Sequence, residues 1–329
     1  MADLELYPAS RVDDVAARVR AEGLDALLLT PGADLRYVTG YEAKQLERLT
    51  CLVVPAADPA FLVVPRLELP AAQASPASGL DLEIIPWQET EDPYALIAGR
   101  LGPVASTGLA DQMWALMVLR LREALPGTKQ VLASAALRDL RMRKSPAEVA
   151  ALREAGAAID RVHEQVPGWL RAGRTEREVG ADVAEAILAE GHVQVDFVIV
   201  ASGPNAASPH HEVSDRVLQP GDAVVVDIGG MMPSGYRSDC TRTYAIGTPP
   251  AEFRDYYQVL KDAQQAAFDR VKPGVPAGDV DAAARQPITA AGYGEAFIHR
   301  TGHGIGLESH EEPYIVAGNS EPLDGSDRQ

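Results

Sequence analysis

The chain has 329 residues, 46% of them hydrophobic, and a formal net charge of −17. This length and apolar content suit two ordinary domains or one large one with a buried core and exclude a disordered chain. The acidity argues against nucleic acid and anionic membrane as partners, because both need a basic surface.

The first residues, "MADLELYPASRVDD", carry charges where a signal peptide needs an apolar core. The stretch "SRVDDVAARVRAEGLD" places Val12, Val15, Ala16 and Val19 at helical spacing, with Gly23 as the stop. "ALLLT", "LTCLVVP", "AFLVVPRLE" and "LEIIPW" are short apolar strands, the middle two separated by the turn-like "AADP". "DQMWALMVLRLREALPG" returns to a helix that closes at Pro126-Gly127. Helices alternating with apolar strands predict an α/β domain with covered sheet faces. A basic cluster follows, Arg138, Arg141, Arg143 and Lys144, read as a solvated linker because no glycine-rich phosphate loop accompanies it. Ser145, Pro146 and Glu148 then form a capping box at the start of a long amphipathic helix. Thr175 and Glu178 repeat that signature before "VGADVAEAILAEG". "DFVIVASGPNAASPHHE" is a strand running into a loop. "GDAVVVDIGGMMPSGYRSDCTRTYAIG" is a strand, a turn and a returning strand, and two further helices follow. No apolar run approaches the roughly 20 residues of a membrane span. Cys51 and Cys240 are far apart and nothing demands a disulfide, which fits a reducing cytosol. The expectation is a soluble cytoplasmic protein.

The chemistry concentrates late in the chain. The hairpin brings Asp227 and Asp239 to neighbouring positions. Two carboxylates side by side repel, and one takes up a proton unless a cation neutralises both. Such a pair is a seat for a hard divalent metal, although Asp near a turn is also a common cap. His163 and His192 sit on or beside predicted helices and read as surface or packing residues. His299 follows "AFI" and remains open. His210 and His211 lie in a loop after a buried strand, where binding residues collect. His303 and His310 frame "GHGIGLESH", whose glycines let another group approach the backbone. Asp and His without thiolate suit Mn, Fe, Co or Zn in a catalytic site and argue against structural zinc. A serine hydrolase is disfavoured because no G-x-S-x-G occurs, and no phosphate-binding fingerprint is present.

At these residues the chain resembles the creatinase / methionine aminopeptidase superfamily, the pita-bread metallopeptidases, and within it the Xaa-Pro dipeptidase (prolidase) and aminopeptidase P branch. The pieces that carry the resemblance are "GLDALLLTPGADLRYVTGY", "LRMRKSPAEVAALREA", "SGPNAASPHHEVSDR", "GDAVVVDIGGMMPSGYRSDCTRTY" and "HRTGHGIGLESHEEPYI", in family order. The resemblance implies an α/β N-terminal domain over 1–136, with a role in dimerisation and substrate restriction. It implies an α+β pita-bread catalytic domain with a curved antiparallel sheet over 137–329. It implies a dinuclear divalent metal site (Mn, Co or Zn) with Asp227, Asp239 and His303 as metal ligands, and His210 and His310 as catalytic histidines beside the substrate. The substrates it implies are short peptides with proline in second position, and it implies a homodimer. The Asp227–Asp239 spacing is one residue longer than in many relatives, an insertion that "MMPSG" can absorb.

The resemblance also implies two Glu ligands on later strands. "GNSEPLDGSDRQ" supplies neither, so the sequence reads as C-terminally truncated relative to the family, with its last strands missing. Three expectations follow from that reading. One is an active Xaa-Pro peptidase whose end is altered here, for instance by a frame change. Another is a truncated, weakly active or inactive homologue that binds peptides and holds one metal ion or none. The third is a creatinase-like amidinohydrolase. Methionine aminopeptidase is disfavoured because a full N-terminal domain precedes the catalytic half.

Overall fold

The computed structural model describes residues 5–324. The chain divides into two compact units, Met1–Arg141 and Met142–Gln329. The division falls after Arg141 rather than after 136, because a helix runs through that position.

The first unit alternates helix and strand: α1 (Ser10–Ala21), β1 (Ala26–Leu29), α2 (Ala33–Thr39), β2 (Cys51–Pro55), β3 (Phe61–Pro65), α3 (Leu69–Ala74), β4 (Glu83–Trp87), α4 (Pro93–Leu101), β5 (Ser106–Leu109), α5 (Ala115–Ala124), β6 (Lys129–Leu132) and α6 (Ser134–Met142). Six strands form one mixed sheet in the order β4-β3-β2-β1-β5-β6. β2 runs antiparallel to both β1 and β3, and the other pairings are parallel. The central strands β1, β2 and β3 are buried at every position, which explains their continuous apolar runs. α1 buries Val12, Val15 and Val19, and Gly23 beyond it takes the left-handed conformation that stops the helix. α6 is fastened within this unit by Arg18–Asp139 (3.0 Å), Arg141–Asp34 (2.7 Å) and the Tyr37 hydroxyl donating to the Leu140 carbonyl (3.1 Å). Cys51 is buried and, like Cys240, free.

The second unit begins with α7 (Pro146–Trp169) and α8 (Glu176–Ala189), followed by β7 (Gln194–Ser202), β8 (Ala223–Met231) and β9 (Arg237–Ala245). Then come α9 (Ala251–Arg270), α10 (Ala277–Ala290), β10 (Gly302–Gly304) and β11 (Glu311–Ile315). Both expected capping boxes form. The Ser145 hydroxyl accepts from the Glu148 amide while Glu148 accepts from the Ser145 amide, and Thr175 and Glu178 do the same. Strands β7, β8 and β9 make an antiparallel sheet in that order. One face of it carries Val200, Val224, Val226 and Ile228, packed against Ile159, Val162 and Val166 of α7 and Val179, Val183 and Ile187 of α8. The alternation along β8 turns Val225, Asp227 and Gly229 to the opposite face. β10 and β11 pair antiparallel as a separate two-stranded sheet. α9 and α10 bury Ala263, Ala267, Val280, Ala284 and Ile288 between them. The basic cluster is paired rather than a bare linker: Lys144, largely buried, meets the Glu311 carboxylate at 2.9 Å, and Arg143, exposed, meets Asp324 at 3.0 Å.

Candidate active site

The strand β8 runs through Asp227 to Met231, and the turn at 232–236 returns it as β9. In this register Asp227 lies opposite Thr241 and Gly229 lies opposite Asp239. All four therefore share one face, and the two aspartates are diagonal neighbours on it. The Thr241 hydroxyl donates to Asp227 Oδ1 at 2.7 Å and fixes that carboxylate. Gly229 is small for a reason. A Cβ there would lie 2.5 Å from the Ser238 carbonyl oxygen and 2.6 Å from the ring of Phe197, which sits opposite it on β7. Gly229→Ala should destabilise the unit by about 1–3 kcal/mol, since backbone as well as a ring must move. Thermal unfolding measures this, and an unchanged melting temperature would contradict it.

The segment 302–311 is docked on the hairpin by Arg237. Its amide donates to the Gly306 carbonyl (3.0 Å), its Nε donates to the Leu307 carbonyl (2.9 Å), and its guanidinium pairs with Asp196. This sets His303 beside Asp239, with Nε2 at 3.6 Å from Oδ2. The close approach that the glycines allow comes from the segment itself. A Cβ on Gly306 would meet the Glu311 carboxylate at 2.6 Å, and one on Gly304 the Glu312 carbonyl at 2.4 Å. Buried Glu311 is committed to Lys144 and to the Glu308 amide. His303 Nδ1 lies 3.0 Å from the Gly304 carbonyl and donates to it, which leaves Nε2 turned towards Asp239. Lost hydration raises the Asp239 pKa, the charge of Asp227 raises it further, and His303 opposes both.

Four histidines gather here. The rings of His303 and His310 lie 4.3 Å apart, and those of His210 and His299 lie 6.3 Å apart, edge to face. The His310 pKa is lowered, by burial first and then by His303, Arg300, His210 and His299. His299, open in the sequence, is thus placed with this group. His163 and His192 are packing residues: His163 bonds the Tyr244 hydroxyl and the Cys240 carbonyl, and His192 bonds the Ser238 hydroxyl and the Ile187 carbonyl.

Two acidic residues that no local sequence signal singles out hold the segments carrying these histidines. Asp281 on α10 is fully buried and accepts from the Thr301 hydroxyl (2.7 Å), the Thr301 amide and both arms of Arg285. Arg285 continues to the Phe297 and His299 carbonyls. Glu176, in the first turn of α8, is likewise fully buried. It accepts from the Ser202 amide and hydroxyl, Asn205, His211 Nε2 and the Ser214 hydroxyl. Burial pushes its pKa up, but these donors, the Ser214 hydroxyl foremost, outweigh it and hold the carboxyl at about 2.

The residues present fit a divalent cation by chemistry. Two carboxylates share one strand face, and an imidazole nitrogen lies 3.6 Å from one of them. Among the described residues no group of three or more His, Cys, Asp or Glu side chains stands gathered as a metal-holding cluster. Asp239 and His303 meet, and Asp227 lies diagonal to them with Oδ1 engaged by Thr241.

Residues 150–326 match metallopeptidase family M24, and residues 11–143 match the creatinase/prolidase N-terminal domain. The chain belongs to metallopeptidase family M24. Among its M24 relatives, the probable dipeptidase PepE of Mycobacterium tuberculosis is 54% identical over 319 residues, covering 96% of this chain and 84% of the relative. The Xaa-Pro dipeptidase of Lactobacillus delbrueckii subsp. lactis is 34% identical over 324 residues, covering 95% and 86%. The crystal structure of dipeptidase PepE from Mycobacterium ulcerans superposes with a TM-score of 0.91 at 55% identity, covering 96% of this chain and 85% of that one. The prolidase from Thermococcus sibiricus gives 0.89 at 33% identity, covering 98% and 88%. The architecture is therefore the M24 pita-bread fold preceded by an N-terminal α/β domain, as the sequence predicted. No helix among the described residues is long and apolar enough to cross a membrane.

Proposed function

We propose that this M24 protein is a metal-dependent Xaa-Pro dipeptidase. The observation that carries the reading is the Asp239–His303 pair with Asp227 on the same strand face. The likeness to enzymes named Xaa-Pro dipeptidase and prolidase supports it. Asp227, Asp239 and His303 would hold Mn, Co or Zn, which supplies Lewis acidity and a water of lowered pKa. The chain's own groups do the rest. With His303 Nδ1 donating to the Gly304 carbonyl, Nε2 is the ring nitrogen left for a metal. His210 and His310 offer ring N–H groups where charge develops on the scissile carbonyl. His310 is suited to passing a proton, because its surroundings favour the neutral ring. A tertiary Xaa-Pro amide has no N–H to be recognised, so such a site works by shape and by the carbonyl.

Two free cysteines with no disulfide framework support a cytoplasmic location. A homodimer formed through the first unit is part of the same proposal, and exposed Leu116 and Leu119 on α5 and Leu132 on the edge strand β6 are side chains it would cover. The test is incubation of the Mn-supplemented protein with Xaa-Pro dipeptides, Xaa-Pro-Yaa tripeptides and creatine. Release of free proline from the dipeptides is expected. Cleavage of tripeptides alone would make it an aminopeptidase, and turnover of creatine alone would overturn the peptidase reading.

A further inference from the structure

We propose that Glu176 is a positioning residue that holds the 203–214 loop in the conformation presenting His210 to the site, a proposal that rests on the peptidase reading above. His210 is exposed, and its ring packs edge-on against His299, so its place is set by the loop that carries it. That loop has little internal structure beyond a short 3-10 turn at Gly203–Ala207 and the bonds from Ser208 to Asn205 and from His211 to Ser208. One carboxylate grips it along its whole length. Ser202 donates at its start, with amide and hydroxyl both at 2.7 Å. Asn205 donates in the turn at 3.0 Å, and His211, the neighbour of His210, donates at 2.8 Å. Ser214 donates at its end at 2.6 Å. The rear of the clamp is stiff as well. Ser202 accepts from Arg216, whose guanidinium is held by Asp222 at 2.6 and 2.9 Å.

Every group pointing at Glu176 is a donor. A carboxylate can accept from all of them, whereas an amide must turn its NH₂ towards some. Glu176→Gln therefore keeps the shape and breaks the match. Glu178 is the control: it lies in the same helical turn but serves only the exposed cap on Thr175.

The experiment is a double-mutant cycle in the full chain with Mn and an Xaa-Pro dipeptide. E176Q is expected to lower kcat at least about 10-fold, with KM changed less than about threefold, and E178Q to stay within about twofold of the parent. On the His210→Ala background the same E176Q change should cost less than about twofold, because the group it positions is gone. Equal losses on both backgrounds, or no loss on either, would overturn the proposal. Should E176Q fail to fold, Ser214→Ala removes one donor and leaves the carboxylate, with about a threefold kcat loss expected only when His210 is present. Amide hydrogen exchange gives a reading independent of turnover. Protection across 203–214 should fall at least about 10-fold in E176Q and not in E178Q. A parent protein without activity on any Xaa-Pro peptide sinks the peptidase reading alone. In that event the exchange result still decides whether Glu176 holds the loop, and unchanged protection overturns it.

Discussion

Asp239→Asn should abolish Xaa-Pro hydrolysis and at the same time raise the melting temperature of the metal-free protein. The two effects share one cause. Asp239 is partly desolvated and sits on the same strand face as Asp227, so its ionised form is disfavoured in the fold and its pKa is raised. A carboxyl with a folded pKa above its unfolded one binds its proton more tightly when folded. Its charge thus costs stability at neutral pH, and the cost vanishes below the unfolded pKa. Asparagine removes the repulsion but also removes an anionic donor from the Asp227–Asp239–His303 set. Loss of turnover on the order of 10³-fold is expected, comparable to removing a principal electrostatic contributor. Calorimetric titration with Mn should show weaker uptake. Thermal unfolding in a chelator at neutral pH checks the other half. A mutant that keeps a tenth of the activity, or that melts lower than the parent without metal, would contradict the assignment of this face. Sites that trade stability for function behave in this way, whereas structural aspartates do not.

The second large effect is the acid stability of the catalytic unit, which Glu176 should dominate. Its folded pKa of about 2 lies below the ordinary value of 4.5. For a depressed carboxyl the sign runs opposite to that of Asp239. The stabilisation is fully present above about pH 4.5 and is lost as pH falls towards 2. The difference corresponds to about 3 kcal/mol, an order-of-magnitude figure for a fully buried group with this many donors. Urea unfolding of the parent should therefore weaken steeply between pH 5 and pH 2. In E176Q the curve over that window should be flatter and start lower. Parallel curves for the two proteins would mean that other carboxylates govern the acid limb.

What the sequence disclosed was what local rules control. Ser145 with Glu148, and Thr175 with Glu178, announce their helices within four residues, and both capping boxes are present. The alternation Val224, Val226, Ile228 against Asp227 is a period of two and needs no tertiary knowledge. β5 and β6 escaped because "STGL" lacks a β-branched run and β6 is an edge strand with exposed ends. Thr241 and Phe197 escaped because their importance comes from register: one faces Asp227 across a strand pair, and the other fills the space above Gly229. Glu176 was hidden by a common alternative. An acidic residue in the first turn of a helix already has a reason to be there, the helix dipole, and nothing local reveals that it is buried under a loop 26 to 38 residues away. Asp281 was hidden likewise, as an i,i+4 partner of Arg285 that reads as a surface pair.

The pairing of Lys144 with Glu311 has a consequence for synthesis. Lys144 and Arg143 open the catalytic unit, while Glu311 and Asp324, which they meet, lie 167 and 181 residues further along. During translation α7 leaves the ribosome some 170 residues before Glu311, the carboxylate that Lys144 meets in the fold, is made. Such a seam closes late, over one of the longest sequence separations in the unit, and contacts of that kind slow folding. The helices and the three-stranded sheet can assemble in the meantime. The segment bearing His303 and His310 is made after these elements, so the candidate site is completed only after they have been laid down.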